Sequence, residues 1–198
     1  DQGLSMQSML QIAQEAISQI PSQRRLRDDD HEIIQRHHQE LLALGPAVAQ
    51  SFEEVLYSQL TSGAGMPRES LERWWRRTID GPLGDDYFSR MAFTGLVHAT
   101  QGVTNPMMLA MSDHVVQLVA DAAASFQPSD AERRELLAAV GRVAGTVRAV
   151  VAWSYEQAVS AALYEVAGIP AALLTRLRDQ EVTAVLGKAR AEFGTLGT

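Results

Sequence analysis

The sequence predicts an all-α fold, and three observations predict it. Apolar residues recur three and four positions apart in segment after segment, the spacing that lays them along one face of a helix. The segments are separated by clusters of helix breakers: Pro21, Gly45-Pro46, Gly63 to Pro67, Gly81 to Gly84, Thr104 to Pro106 and Gly168 to Pro170. Ser129-Asp130-Ala131-Glu132 then forms a capping box behind Pro128. The helix it opens runs to Ala167, about 55 Å at 1.5 Å per residue.

Taken in order, residues 4–20 carry Leu4, Met6, Met9/Leu10, Ala13, Ile17 and Ile20 at helical spacing and form an amphipathic leading helix ended by Pro21. Arg24-Arg25-Leu26-Arg27 is followed at once by Asp28-Asp29-Asp30, a self-cancelling charge run that reads as a solvated turn. His31 to Leu44 is a second helix, stopped by Gly45-Pro46. His37 and His38 lie in it, but adjacent residues point about 100° apart on a helix and cannot easily share an ion, so both read as exposed surface. Ala47 to Leu60 is a third helix, with Val48, Phe52 and Val55/Leu56 on one side. Thr61 to Pro67 is a loop, and Ser70 to Ile79 a short helix carrying Leu71, Trp74, Trp75 and Thr78.

The next helix organises the chain. From Tyr87 to Gly102, behind Asp85-Asp86 at its start, it places Tyr87, Met91, Thr94/Gly95 and His98 on one stripe. A lone histidine on an apolar face is ordinarily a core residue with satisfied nitrogens. Gly95 one turn before it and Gly102 one turn after it point elsewhere. A glycine costs a helix interior about 1 kcal/mol relative to alanine, and two of them suggest that something flat and bulky approaches the backbone. Met107 to Phe126 follows behind Pro106, with His114 beside Asp113 as a second and structural histidine. In the long helix, Val143 to Ala167 carries only Arg148, Glu156 and Glu165 as charges, with small residues Gly141, Ala144, Gly145, Ala149 and Ala152 recurring. A helix apolar on nearly every side should be covered on nearly every side, by a second copy of the chain or by Ala171 to Phe193 folding back.

Composition narrows the function. A chain of 198 residues, 46% hydrophobic and 21% charged, can bury one substantial core. It has no cysteine, which excludes disulfides, thiolate zinc sites and cysteine nucleophiles and fits a reducing, cytoplasmic compartment. A net charge of −7 and a pI near 5.2 argue against a nucleic-acid partner, although Trp74-Trp75 beside Arg73, Arg76 and Arg77 has the look of a stacking platform. No stretch of 18 uninterrupted apolar residues suggests a membrane span, and no signal peptide opens the chain. Asp1 is not methionine, so the chain reads as processed or excerpted. No phosphate loop, His-Glu-x-x-His pair or Gly-x-Ser-x-Gly turn is present.

The His98 helix resembles the proximal-helix signature of the globin-coupled sensors and the related protoglobins, roughly Tyr-x-x-Arg-x-x-x-Ile-Gly-x-x-His-x-x-Ile-Gly-Leu. Tyr87, Arg90, Gly95, His98 and Gly102 fall on it, and Gly81 falls on the run that leads in from Trp75. Three features depart from it: Thr94 and Gln101 replace the isoleucines, Pro106-Met107-Met108 is shifted by one, and the run from Tyr57 to Trp75 is short. The resemblance implies a globin-like, 3-over-3 fold over residues 31–168, a helical extension at 1–30 and a connector or fold-back helix at 169–198. It also implies haem b ligated by His98, with the site completed by Leu71, Trp74, Trp75, Tyr87, Met91, Thr94 and Gly95. Tyr57 would be the distal donor to bound oxygen, against the alternative of a tyrosine whose ring packs and whose hydroxyl reaches solvent; Arg73, Arg76 and Arg77 would either meet the propionates or be solvated. A diatomic gas (O2, CO or NO, with O2 first) would be the ligand, and long C-terminal helices would form a homodimer interface through 107–167 and serve an output domain. Two rivals stand beside gas sensing: a haem-free interaction module, and a globin that turns over NO or peroxide.

Overall fold

A computed structural model describes residues 9–61, 63–126 and 129–193, with residue 193 described in its backbone only. Residues 4–8 of the leading helix and Pro128 lie outside the described residues. The main elements are α1 (Met9–Gln19), α2 (Asp30–Gln35), α3 (His38–Leu42), α4 (Gly45–Ser51), α5 (Arg68–Asp80), α6 (Asp85–Thr100), α7 (Asn105–Ala123), α8 (Asp130–Ala167) and α9 (Ala171–Phe193), with no strand among the described residues. Two compact units divide the chain, one from Gln7 to Tyr155 and one containing Glu156 onward.

In the first unit, α1 buries Ile12, Ala13 and Ala16 against Tyr87, Phe88, Met91 and Ala92 of α6, so the leading helix backs the His98 helix. The larger core gathers Leu41, Val48, Leu56, Leu71, Trp75 and Met111 with Leu136 and Ala139 of α8. Trp75 donates its Nε1–H to the Leu41 carbonyl at 2.7 Å, which satisfies a buried donor and ties α5 to α3. The capping box forms: Glu132 accepts from the Ser129 amide and hydroxyl at 2.8 Å each, and the Glu132 amide donates to the Ser129 hydroxyl at 3.2 Å.

Several local expectations are corrected. The helix expected over 31–44 breaks at His37, whose backbone (φ −118°, ψ 28°) leaves the helix. His37 stacks on Phe126 with centroids 6.1 Å apart, whereas His38 turns to Asp80 at 2.7 Å. Both are half-buried and partnered rather than free surface. Gly45-Pro46 opens α4 instead of ending a helix, since Pro46 sits where a missing N–H costs nothing. The helix expected to continue to Leu60 changes at Phe52 into a π-helical turn, Phe52–Leu56, and then a 3-10 turn, Tyr57–Gln59. The added residue in the turn alters the direction of everything after Phe52.

The charge run before α2 is solvated as expected from Arg24 to Asp29, and its last residue is the exception. Asp30 is 1% exposed and accepts from Arg142 of α8 through Nε at 2.9 and 3.1 Å and Nη2 at 2.6 Å, with the Arg27 amide at 2.8 Å as a further donor. The turn is pinned because its last aspartate answers a buried arginine 112 residues away.

By length and composition α8 could cross a membrane, with a window of mean hydropathy 1.5, and 44% of that window is buried within the fold. In the second unit, none of the described side chains of α9 is buried, and Leu177, Val182, Val185 and Leu186 are exposed along it. Val159, Tyr164 and Val166 are likewise exposed on the end of α8.

Candidate functional site

Helices α5, α6, α7 and α8 line an apolar cavity of about 100 Å³ that opens to solvent on one side. The α6 stripe contributes Met91, Thr94 and His98, and α5 faces it with Leu71, Trp74, Trp75 and Thr78. Val143, Val147 and Val151 of α8 and Met108, Met111 and Val115 of α7 close the rest.

His98 is 5% exposed, and neither Nδ1 nor Nε2 has a hydrogen-bond partner. Burial lowers its pKa below the ordinary histidine range, so the ring is held neutral. A buried polar group without a partner typically costs about 1–3 kcal/mol, and its persistence calls for a reason. A neutral imidazole nitrogen facing an apolar slot is a ligand-in-waiting for a metal. Among the described residues no group of three or more His, Asp or Glu side chains could hold a bare ion. A metal bound here must therefore bring its other ligands with it, as in a flat macrocycle. The apolar walls and the single free imidazole fit an iron porphyrin.

The supporting shell is ordered. Thr78 donates to the Trp74 carbonyl at 2.8 Å and takes the Tyr87 hydroxyl at 2.8 Å, fixing α5 to α6 at the cavity floor. Burial pushes the Tyr87 hydroxyl up to about 12, with Thr78 opposing, so it remains a proton donor. Tyr87 thus stands behind the wall, not in it.

Gly95 also has a different role from the one expected. A Cβ there would lie 2.7 Å from the Val151 carbonyl oxygen and 3.2 Å from Ser154 Cβ. What approaches the glycine is the α8 backbone, and Ser154 donates to the Ala92 carbonyl at 2.6 Å across the same crossing. Gly102 has φ +77° just past the end of α6, with nothing within 4 Å of a Cβ, so it is a helix terminator in the left-handed region. Neither glycine makes room for a flat group.

Tyr57 does not line the cavity. Its ring packs on Phe52, which does, at 6.1 Å, and its buried hydroxyl faces the Met66 backbone. Burial raises its pKa, with the Met66 backbone opposing. The π-helical turn at Phe52–Leu56 puts Phe52 on the wall and leaves Tyr57 behind it. Arg73, Arg76 and Arg77 are likewise outside the cavity: Arg73 bonds Ser70, and Arg77 bonds the Pro82 carbonyl and lies over the Tyr87 ring. His114 has the structural role expected of it, with Nε2 at 3.3 Å from the Ser51 hydroxyl. Sequence reasoning missed Phe52, Met66, Met108, Met111 and Arg148 as cavity residues, because nothing local marks which apolar stripe faces a hole.

No curated protein matched the chain. The family model described as Protoglobin matches residues 4–160, which span the cavity and its supporting helices. Protoglobins are globin-like all-α proteins that bind haem and diatomic gases and often form dimers. On a match over most of its length, with the all-α architecture to go with it, the chain belongs to the protoglobin family.

Proposed function

We propose that the chain is a gas-sensing globin domain that holds haem b through His98 and passes the ligand state to a second copy through residues 107–167. The observation that carries the reading is the buried imidazole with both nitrogens unpartnered at the wall of an apolar cavity. Haem, when bound, supplies the iron that takes O2, CO or NO. The chain supplies the rest. Burial keeps His98 neutral and available as a nitrogen ligand, Trp74, Trp75 and Leu71 exclude water from the opposite wall, and the Thr78–Tyr87 pair holds the two helices at fixed separation. Residues 31–168 serve as the sensor domain, with 1–30 ahead of it and 169–198 as connector, in a cytoplasmic protein.

The test is the absorbance spectrum after expression with haem supplied. The expected result is a Soret band that shifts on reduction and on CO addition and is lost or displaced in His98→Ala. A wild-type protein that stays colourless with haem present would overturn the reading and favour a haem-free interaction module. Steady consumption of NO or peroxide with a reductant would favour turnover over sensing.

A further inference from the structure

We propose that Arg148 is the counter-charge for a carboxylate carried by the molecule that fills the cavity. The inference rests on the haem reading and deepens it, since haem b bears two propionates and the chain must meet or solvate them. Among the residues lining the cavity, Arg148 is the one with a full charge, and no Asp or Glu lines it. Its guanidinium makes no hydrogen bond among the described residues. Its one ion-pair contact is Nη1 to Asp113 Oδ1 at 3.6 Å, beyond hydrogen-bond range, and that aspartate is largely exposed. Five N–H donors are therefore left for an incoming anion.

The backbone puts the charge on the same side of the cavity as His98. Helices α6 and α8 cross where Gly95 meets Val151. His98 lies one turn beyond Gly95 and Arg148 one turn before Val151, and both line the same cavity. Arg148 is half-buried and lines the apolar wall, while its guanidinium lies beside the exposed Asp113 at the rim, an arrangement open to amphipathic side chains whose stems cover apolar surface. An apolar body with a carboxylate at one edge suits that arrangement. A neutral apolar guest would use the wall and leave the guanidinium unanswered. None of Arg73, Arg76 and Arg77 lines the cavity; Arg73 bonds Ser70 and Arg77 the Pro82 carbonyl.

The test compares protoporphyrin IX with its dimethyl ester, both without metal, by fluorescence titration of the apoprotein. The metal-free ring takes iron ligation by His98 out of the measurement. Wild type is expected to prefer the free acid by about tenfold to a hundredfold, the range of one charge-assisted hydrogen-bonding contact. Arg148→Gln should abolish the preference by weakening the acid alone, Arg148→Lys should keep part of it, and Asp113→Asn should leave it intact or larger. Thermal midpoints of the apoproteins check that each variant is folded. Equal binding of acid and ester by wild type, the same ratio in Arg148→Gln, or no porphyrin binding at all overturns the assignment. The haem reading fails separately: an acid preference that depends on Arg148, together with no Soret band on adding haem, would sink iron ligation and leave the counter-charge standing.

Discussion

Removing the Asp30 carboxylate should destabilise the first unit severely. With Asp30 at 1% and Arg142 at 6% exposure, Asp30→Ala leaves a guanidinium with nothing to answer it and strips the Arg27 amide of its acceptor. Breaking a buried pair from one side costs about 3–5 kcal/mol, against the roughly 5–15 kcal/mol that holds a domain together. At about 2–4 °C per kcal/mol for a unit of this size, the thermal midpoint should fall by about 6–20 °C. Arg142→Met should cost a similar amount, because it leaves the carboxylate buried instead. The double variant Asp30→Ala/Arg142→Met buries neither charge and should cost clearly less than the two singles summed, so the double-mutant cycle should return a coupling of about 2 kcal/mol or more. Urea unfolding of the apoprotein followed by circular dichroism measures all four corners. Single variants within about 1 kcal/mol of wild type, or a double variant equal to the sum of the singles, would show that the pair is wetter and weaker than its burial implies.

Four further outcomes are expected. His98 has its folded pKa lowered by burial, so the unfolded chain binds the extra proton first: apoprotein stability should begin to fall as pH drops through about 6.5, the ordinary histidine value, and stop falling below the folded pKa. His98→Leu should remove that part of the slope in urea titrations at pH 5 to 8, and an unchanged slope would assign it to other groups. Gly95→Ala should lower the unfolding midpoint despite a helix-propensity gain of about 1 kcal/mol, because overpacking against the Val151 carbonyl costs about 1–3 kcal/mol; a raised midpoint would deny the close crossing. Tyr57→Phe removes a buried hydroxyl that faces the Met66 backbone and should change stability by no more than about 1 kcal/mol while leaving O2 dissociation within about twofold. A much faster O2 release would return Tyr57 to the distal role. Ala149→Glu should weaken self-association by placing a charge in the α8 face, and sedimentation showing an unaltered dimer would remove that face from the interface.

What was legible in the sequence was local. Helix spacing and breakers located α5 to α9 to within a few residues, and the Tyr87 to Gly102 stripe placed Met91, Thr94 and His98 together as the structure does. The capping box at Ser129 needed only four adjacent residues to be read. What was not legible depends on partners far along the chain. Asp30 looks like the end of a hydrophilic run until Arg142 is brought to it, and Gly95 looks like space for a ligand until Val151 is seen filling it. The π-helical turn before Tyr57 is a third case. A single added residue per turn leaves the apolar spacing nearly unchanged, yet it decides whether Phe52 or Tyr57 reaches the cavity.

The same long-range contacts bear on how a change at His98 would travel. Along the cavity, α8 is held at both ends by buried polar bonds, Arg142 to Asp30 and Ser154 to the Ala92 carbonyl. Between them the α6 backbone meets the α8 backbone with no side chain interposed at Gly95. Close-packed interiors have little compressibility, so a contact of this kind transmits displacement where a layer of flexible side chains would absorb it. If a metal draws on His98, the nearest rigid path out of the cavity therefore runs one turn back along α6 to Gly95 and across to Val151. A longer residue at 95 would loosen that path as well as strain it. Gly95→Ala should then reduce the CO-induced change measured in α8, for example by hydrogen exchange near Val151, by more than its effect on stability explains. An undiminished exchange response in a folded, haem-loaded Gly95→Ala protein would mean that the signal leaves by another route.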